Sequence, residues 1–141
     1  MERAFNSCDV RDYYGFVYNI TNLANQRQYI GRKYFWQHRT PKGKKRKVKS
    51  ESDWKKYYGS CPELKEEIKK CGRENFSRTI LSLHKTPGKT NFEETRQLFA
   101  YNVLTESLDD GTPAYYNSNI LSRYFKKDYY GSDNRSGCSD S

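Results

Sequence analysis

Residues 14–33 read YGFVYNITNLANQRQYIGRK, and the fold depends on how this stretch is paired. Two apolar, aromatic-rich runs, 16–20 and 28–32, flank the polar segment Thr21-Asn22-Leu23-Ala24-Asn25-Gln26. β-Branched and aromatic runs separated by asparagine-rich punctuation predict a β-hairpin, because such side chains suit a pleated, half-buried surface. Each run carries a tyrosine, Tyr18 and Tyr29, and the second ends in Tyr29-Ile30-Gly31. Paired strands bring the tyrosines together, and a glycine beside them lets backbone or ligand come close. Taken alone, two tyrosines in a hairpin more often pack across strands than do chemistry.

A chain of 141 residues suggests one domain. Thirteen Tyr, seven Phe and two Trp can fill a small core. A mean hydropathy of −1.13 sets that core under a large wet surface. The formal charge of +9 points to a polyanionic partner, of which nucleic acid is the usual one. A basic surface kept for solubility is the plainer alternative. No apolar run approaches the roughly 18 residues of a membrane span. The start Met1-Glu2-Arg3-Ala4-Phe5 lacks the apolar stretch of a signal peptide, so a cytoplasmic location is expected. Cys8, Cys61, Cys71 and Cys138 are widely spread, and neither His38 nor His84 lies at metal-ligand spacing from them. Free thiols fit that pattern better than structural zinc.

Residues 1–12 are expected to be a loose lead-in, 13–125 the folded domain, and 126–141, rich in Gly, Ser and Asp, a disordered tail. Residues 33–38 suggest a helical turn leading out of the hairpin. Arg39, Lys42, Lys44, Lys45, Arg46, Lys47 and Lys49 then crowd a segment with Pro41 and Gly43. No periodicity appears there, which predicts a basic insertion loop over 39–50 laid along a phosphate backbone. It would add affinity without reading sequence. Ser60-Cys61-Pro62-Glu63 has capping-box spacing, Leu64, Ile68 and Cys71 share one helical face, and Gly72 ends the helix. Residues 76–83 predict the third strand, and Pro87-Gly88 a break. A long helix is expected over 91–108, burying Leu98, Phe99, Val103 and Leu104.

The pair Phe16-Val17-Tyr18 and Tyr29-Ile30-Gly31, about ten residues apart, resembles the signature of the GIY-YIG endonuclease superfamily. Arg32-Lys33-Tyr34-Phe35-Trp36 and the segment from Glu51 to Ser60, ESDWKKYYGS, resemble its phage Seg-type branch more narrowly. The resemblance covers roughly residues 14–124. In one departure, the first-motif glycine aligns with Phe16, and Gly15 sits one place early. The resemblance implies an α/β (α+β) domain, with a central three-stranded, mainly antiparallel sheet flanked by helices. It further implies a phage-encoded, metal-dependent endonuclease that hydrolyses DNA phosphodiester bonds in the host-cell cytoplasm.

Such a site needs a base for the attacking water, a cation to offset phosphoryl charge and a cationic side chain to hold the phosphate. By resemblance, Glu94 on the helix after the third strand is the metal ligand for Mg²⁺ or Mn²⁺, with Glu93 the competitor. Asn91 to Glu94 is also capping-box spacing, which leaves capping of its helix as the rival role for Glu94. Tyr18 is the candidate base and Tyr29 its partner, although a free phenol with a pKa of about 10 needs nearby cations to serve at neutral pH. Arg39 falls where the family places its phosphate-holding arginine, with Arg46, Arg32 and Lys33 as rivals. Asn117 matches a late asparagine expected to support the glutamate. The family's histidine has no counterpart near Tyr58-Gly59. Double-stranded DNA is the expected partner, bound by a monomer or dimer. A non-catalytic nucleic-acid-binding module on the same fold is the alternative, and a basic RNA- or ribosome-associated protein a second one.

Overall fold

A computed structural model describes residues 12–130. Its centre is an antiparallel sheet of three strands in the order β2-β1-β5, with β1 (Gly15–Asn22) in the middle, β2 (Gln28–Tyr34) on one side and β5 (Phe76–His84) on the other. The expected hairpin is present and longer than its apolar runs, with Tyr18 opposite Gly31 and Ile20 opposite Tyr29. Its turn is shaped by Asn22, whose side chain accepts from the Ala24 amide at 2.9 Å.

Period-two alternation divides β1 between two cores. Phe16, Tyr18 and Ile20 join Phe35, Trp54, Leu64, Phe76 and Tyr116 on one face of the sheet. Val17 joins Ile30, Leu98, Val103, Leu104 and Tyr115 on the other. The first core is covered by α1 (Pro62–Cys71), the second by α2 (Pro87–Ala100). Leu64 is buried, and Ile68 and Cys71 pack beside it, as their spacing predicts.

Several local expectations are corrected. Residues 33–38 form no helical turn. Phe35 is fully buried, and the chain turns about it from β2 into β3 (Trp36–Arg39). The insertion expected as a loop over 39–50 is the outer part of a two-stranded ribbon, with β3 pairing antiparallel to β4 (Val48–Glu51) from Trp36↔Glu51 to Arg39↔Val48. Only residues 40–47 at its tip are irregular. Ser60 caps nothing: Cys61 is the N-cap of α1 without a side-chain bond, and Glu63 turns instead to Arg27 at 2.8 Å.

The Pro87-Gly88 pair opens α2 rather than breaking the chain. Thr86 caps it, accepting from the Lys89 amide at 3.1 Å, and Pro87 stands in the first turn, where its missing N–H is harmless. The helix also stops early, at Ala100, with Asn102 at φ 54°. Leu98 is buried on it, Phe99 is exposed, and Val103 and Leu104 reach the core from the turn beyond. Two short strands, β6 (Asn119–Ile120) and β7 (Tyr124–Phe125), follow. The start of the expected tail is ordered: α3 (Lys127–Tyr130) docks through the Tyr130 hydroxyl, which donates to the carbonyl of Glu106 at 2.7 Å. The remaining tail and nearly all of the lead-in lie outside the described residues.

Candidate active site

The outer edge of β2 decides where a site can form. An open strand edge must satisfy its backbone groups, and here the segment 114–117 does so over the first half of the strand. Gln28 donates to the Ala114 carbonyl at 2.8 Å and accepts from the Tyr116 amide at 2.7 Å. One step on, the Asn117 side chain takes the place of the backbone: its Nδ2 donates to the Ile30 carbonyl at 2.8 Å, and its Oδ1 accepts from the Ile30 amide at 3.1 Å. Beyond Ile30 no backbone hydrogen bond covers this edge among the described residues, and a cleft of about 450 Å³ opens there. Its walls include Tyr29, Arg32, Ser60, Glu94, Thr95 and Asn117.

Glu94 reaches the cleft from the middle of α2. Asn91, Glu94, Thr95 and Leu98 fall at i, i+3, i+4 and i+7, one helical stripe. Because α2 starts at Pro87, Glu94 is not in the first turn and has no capping role. Burial pushes its carboxyl above the usual range, and Arg32 partly offsets this from 3.9 Å. Among the described residues that guanidinium is its one ion-pair partner. Glu93 is differently placed: Arg96 and Gln97 occupy its oxygens, and the Arg96 hydrogen bonds hold its carboxyl below the usual range. Asn91 accepts from both Arg32 Nε and the Tyr34 hydroxyl, fixing the guanidinium at the cleft mouth.

The two tyrosines are neighbours with different access. Their ring centroids lie 6.2 Å apart. Tyr29 lines the cleft, whereas Tyr18 is 1% exposed and stands behind it. Tyr18 lies across Gly31, where a Cβ would come within 2.6 Å of the phenolic oxygen, so the glycine is required by close approach. Burial pushes both phenols up, Tyr18 far above its ordinary value and Tyr29 to about 12, the latter against a hydrogen bond with Ser60. Both keep their protons at neutral pH.

The model of the family described as "Putative endonuclease segE, GIY-YIG domain" matches residues 1–120. The chain belongs to this GIY-YIG family. A relative named "Putative endonuclease segE", from Enterobacteria phage T4, is 40% identical over 73 residues, which are 52% of this chain. The match spans 28% of that relative's length. No solved structure matches the chain.

Of the GIY-YIG positions expected from sequence, the fold brings Tyr29, Glu94 and Asn117 to one cleft, with Tyr18 directly behind. The hydrogen bonds of the Asn117 side chain among the described residues go to the Ile30 backbone. Arg39 is not among the cleft residues; it ends β3 and is exposed. Arg46 lies at the ribbon tip. Lys33 is turned away, with its ammonium 2.7 Å from Asp53 and 4.0 Å from the Tyr57 ring centroid. Arg32 is therefore the arginine at the cleft. Sequence reasoning missed Ser60 and Asn91. Asn91 shares Glu94's stripe and was findable once the helix start was placed, whereas Ser60 carries no local signal.

Among the described residues no group of three or more His, Cys, Asp or Glu could cage a metal. No described helix is long and apolar enough to cross a membrane.

Proposed function

We propose that this GIY-YIG chain is a divalent-metal-dependent endonuclease that hydrolyses DNA phosphodiester bonds in the cleft at the β2 edge. The observation that carries this reading is the partly buried Glu94 carboxylate, opening with Tyr29 and Arg32 onto one polar cleft on a chain of charge +9. A phage origin is favoured by the relative from phage T4.

The donor set fits Mg²⁺ or Mn²⁺. A hard ion that keeps several waters is commonly held by one or two carboxylates, and among the described residues no short hydrogen bond occupies the Glu94 oxygens. Glu93, already held by Arg96 and Gln97, is the poorer ligand. When bound, such an ion would offset charge on the phosphoryl oxygens and lower the pKa of a nearby phenol or water.

The chain's own groups divide the remaining work. Hydrolysis forms a P–O bond from water and breaks the bond to the leaving oxygen, so one proton leaves the water and one reaches the departing group. Arg32 presents a guanidinium suited to two phosphate oxygens at once. Tyr29 is the phenol placed to meet water or phosphate. Tyr18 holds Tyr29 from behind and acts as a positioning residue. Asn117 fixes the Ile30 peptide between Tyr29 and Gly31, and with it the aim of the Tyr29 ring. The basic residues Lys42, Lys44, Lys45, Arg46, Lys47 and Lys49 supply affinity from the ribbon.

Cleavage of a labelled duplex by Arg32→Ala and Arg39→Ala variants tests the placement. Arg32→Ala should cut at least ~100-fold more slowly with binding little changed, the order of loss for one transition-state donor. Arg39→Ala should weaken binding and retain turnover at saturating DNA. The reverse pattern would move the phosphate site to the ribbon.

A further inference from the structure

The cleft does not end at Arg32. A second hollow of about 230 Å³ shares Arg32 as a wall and continues past Tyr34 and Trp36 to Tyr57. A third, of about 460 Å³, shares Tyr57 and lies against α1. Lys56, Lys65, Lys69 and Arg73 line it. None of these cations has a carboxylate within ion-pair distance among the described residues. The one acidic wall, Asp53, is bound at 2.7 Å by Lys33, whose ammonium holds its carboxyl below the usual range.

Helix stability does not account for the cluster. Lys69 complements the C-terminal end of α1. Lys65, four residues earlier on the same face, only adds like-charge repulsion, and Lys56 and Arg73 lie outside the helix. Glu63 does not face either lysine at helical spacing and is committed to Arg27, and Glu66, at i,i+3 to Lys69, makes no ion pair with it among the described residues. Nor is the hollow a stacking platform. The Tyr58 ring carries the Arg73 and Arg78 guanidiniums at 5.0 and 5.4 Å. What the hollow offers is positive charge without a carboxylate partner among the described residues, which suits phosphates rather than bases.

We propose that this hollow is a phosphate-backbone subsite, holding duplex DNA to one side of the bond being cut. The assignment deepens the nuclease reading and rests on it. The track runs from the cleft over Arg32 and Tyr57 to Lys65, Lys69 and Arg73. It meets the backbone through charge, so it is blind to sequence, and it is separate from the tip of the ribbon.

Binding of a duplex oligonucleotide across a NaCl series tests the subsite, with Glu94→Ala present throughout so that cutting does not interfere. The Lys65→Gln/Lys69→Gln double variant should lower the slope of log affinity against log salt by about 1.8, at about 0.9 per neutralised phosphate. Lys70→Gln, on the same helix but outside the hollow, should leave the slope unchanged. An unchanged unfolding midpoint in the double variant ties the loss to charge. An unaltered slope in the double variant would overturn the proposal, as would an equal loss in Lys70→Gln or a loss seen with a single-stranded oligonucleotide alone. A wild-type protein that shows these slopes yet never cuts would support the subsite and count against the nuclease reading.

Discussion

Gly31 shows how a single residue fixes the geometry of the site. It sits opposite Tyr18 with ordinary strand backbone, and its role is to be empty, because the Tyr18 phenol fills the space a side chain would take. Gly31→Ala should cost about 1–3 kcal/mol, the usual range for overpacking, measured as a loss in urea unfolding, and should slow cleavage by displacing both tyrosines. Glu94 shows the opposite economy. Its carboxyl is raised by burial, so between the unfolded and folded pKa values the native state binds more protons than the unfolded chain. Stability from this group is fully present below the unfolded pKa and is lost as pH rises through the folded one. Glu94→Gln should therefore be more stable than the wild type at pH 7, and the advantage should vanish near pH 4. Paired thermal melts at the two pH values check this. A variant less stable at pH 7 would mean that the Arg32 pair outweighs the cost of burying the Glu94 charge.

Among the elements, the β3–β4 ribbon carries a sequence that points away from strands, and its structure explains why. Its strands bury little, from the intermediate Trp36 and Gln37 to a wholly exposed β4, so no period-two apolar pattern marks them. The ribbon is held from its base, by Phe35 in the core and by the Ser52 hydroxyl donating to the Tyr34 carbonyl at 2.6 Å. The tip contributes nothing buried. Replacing residues 40–47 by Asn-Gly, which suits a two-residue hairpin turn between the paired Arg39 and Val48, should leave the melting temperature within a few degrees. The salt slope of DNA binding should fall by about 0.9 for each phosphate the tip neutralises in the wild type. A large fall in melting temperature would show that the tip supports the fold. The start of α2 misleads for a related reason. Pro87-Gly88 has the composition of a turn, but Pro in a first turn is also a helix start, and only the Thr86 cap distinguishes the two.

At the scale of the molecule, the sheet was legible and the cleft only in part. Tyr18, Tyr29 and the strand at residues 76–83 could be read because alternation and turn chemistry are local signals. Glu94 and Asn117 could be placed through the family pattern, yet their partners could not. Asn117 bonds to Ile30, 87 residues away, and Ser60 meets Tyr29 only once α1 has packed. Counting ten residues on from Tyr29 leads to Arg39, but the chain turns at Phe35 into β3, which carries that residue out onto the ribbon. The nuclease reading rests on Glu94 as the group through which DNA is cut. The most direct test is conversion of supercoiled plasmid in Mg²⁺ by wild type, Glu94→Ala and Glu93→Ala. Nicked or linear product from the wild type and Glu93→Ala, lost with EDTA and lost in Glu94→Ala, is the predicted result. Equal cutting by Glu94→Ala, or DNA binding without cutting under any divalent ion, would contradict it.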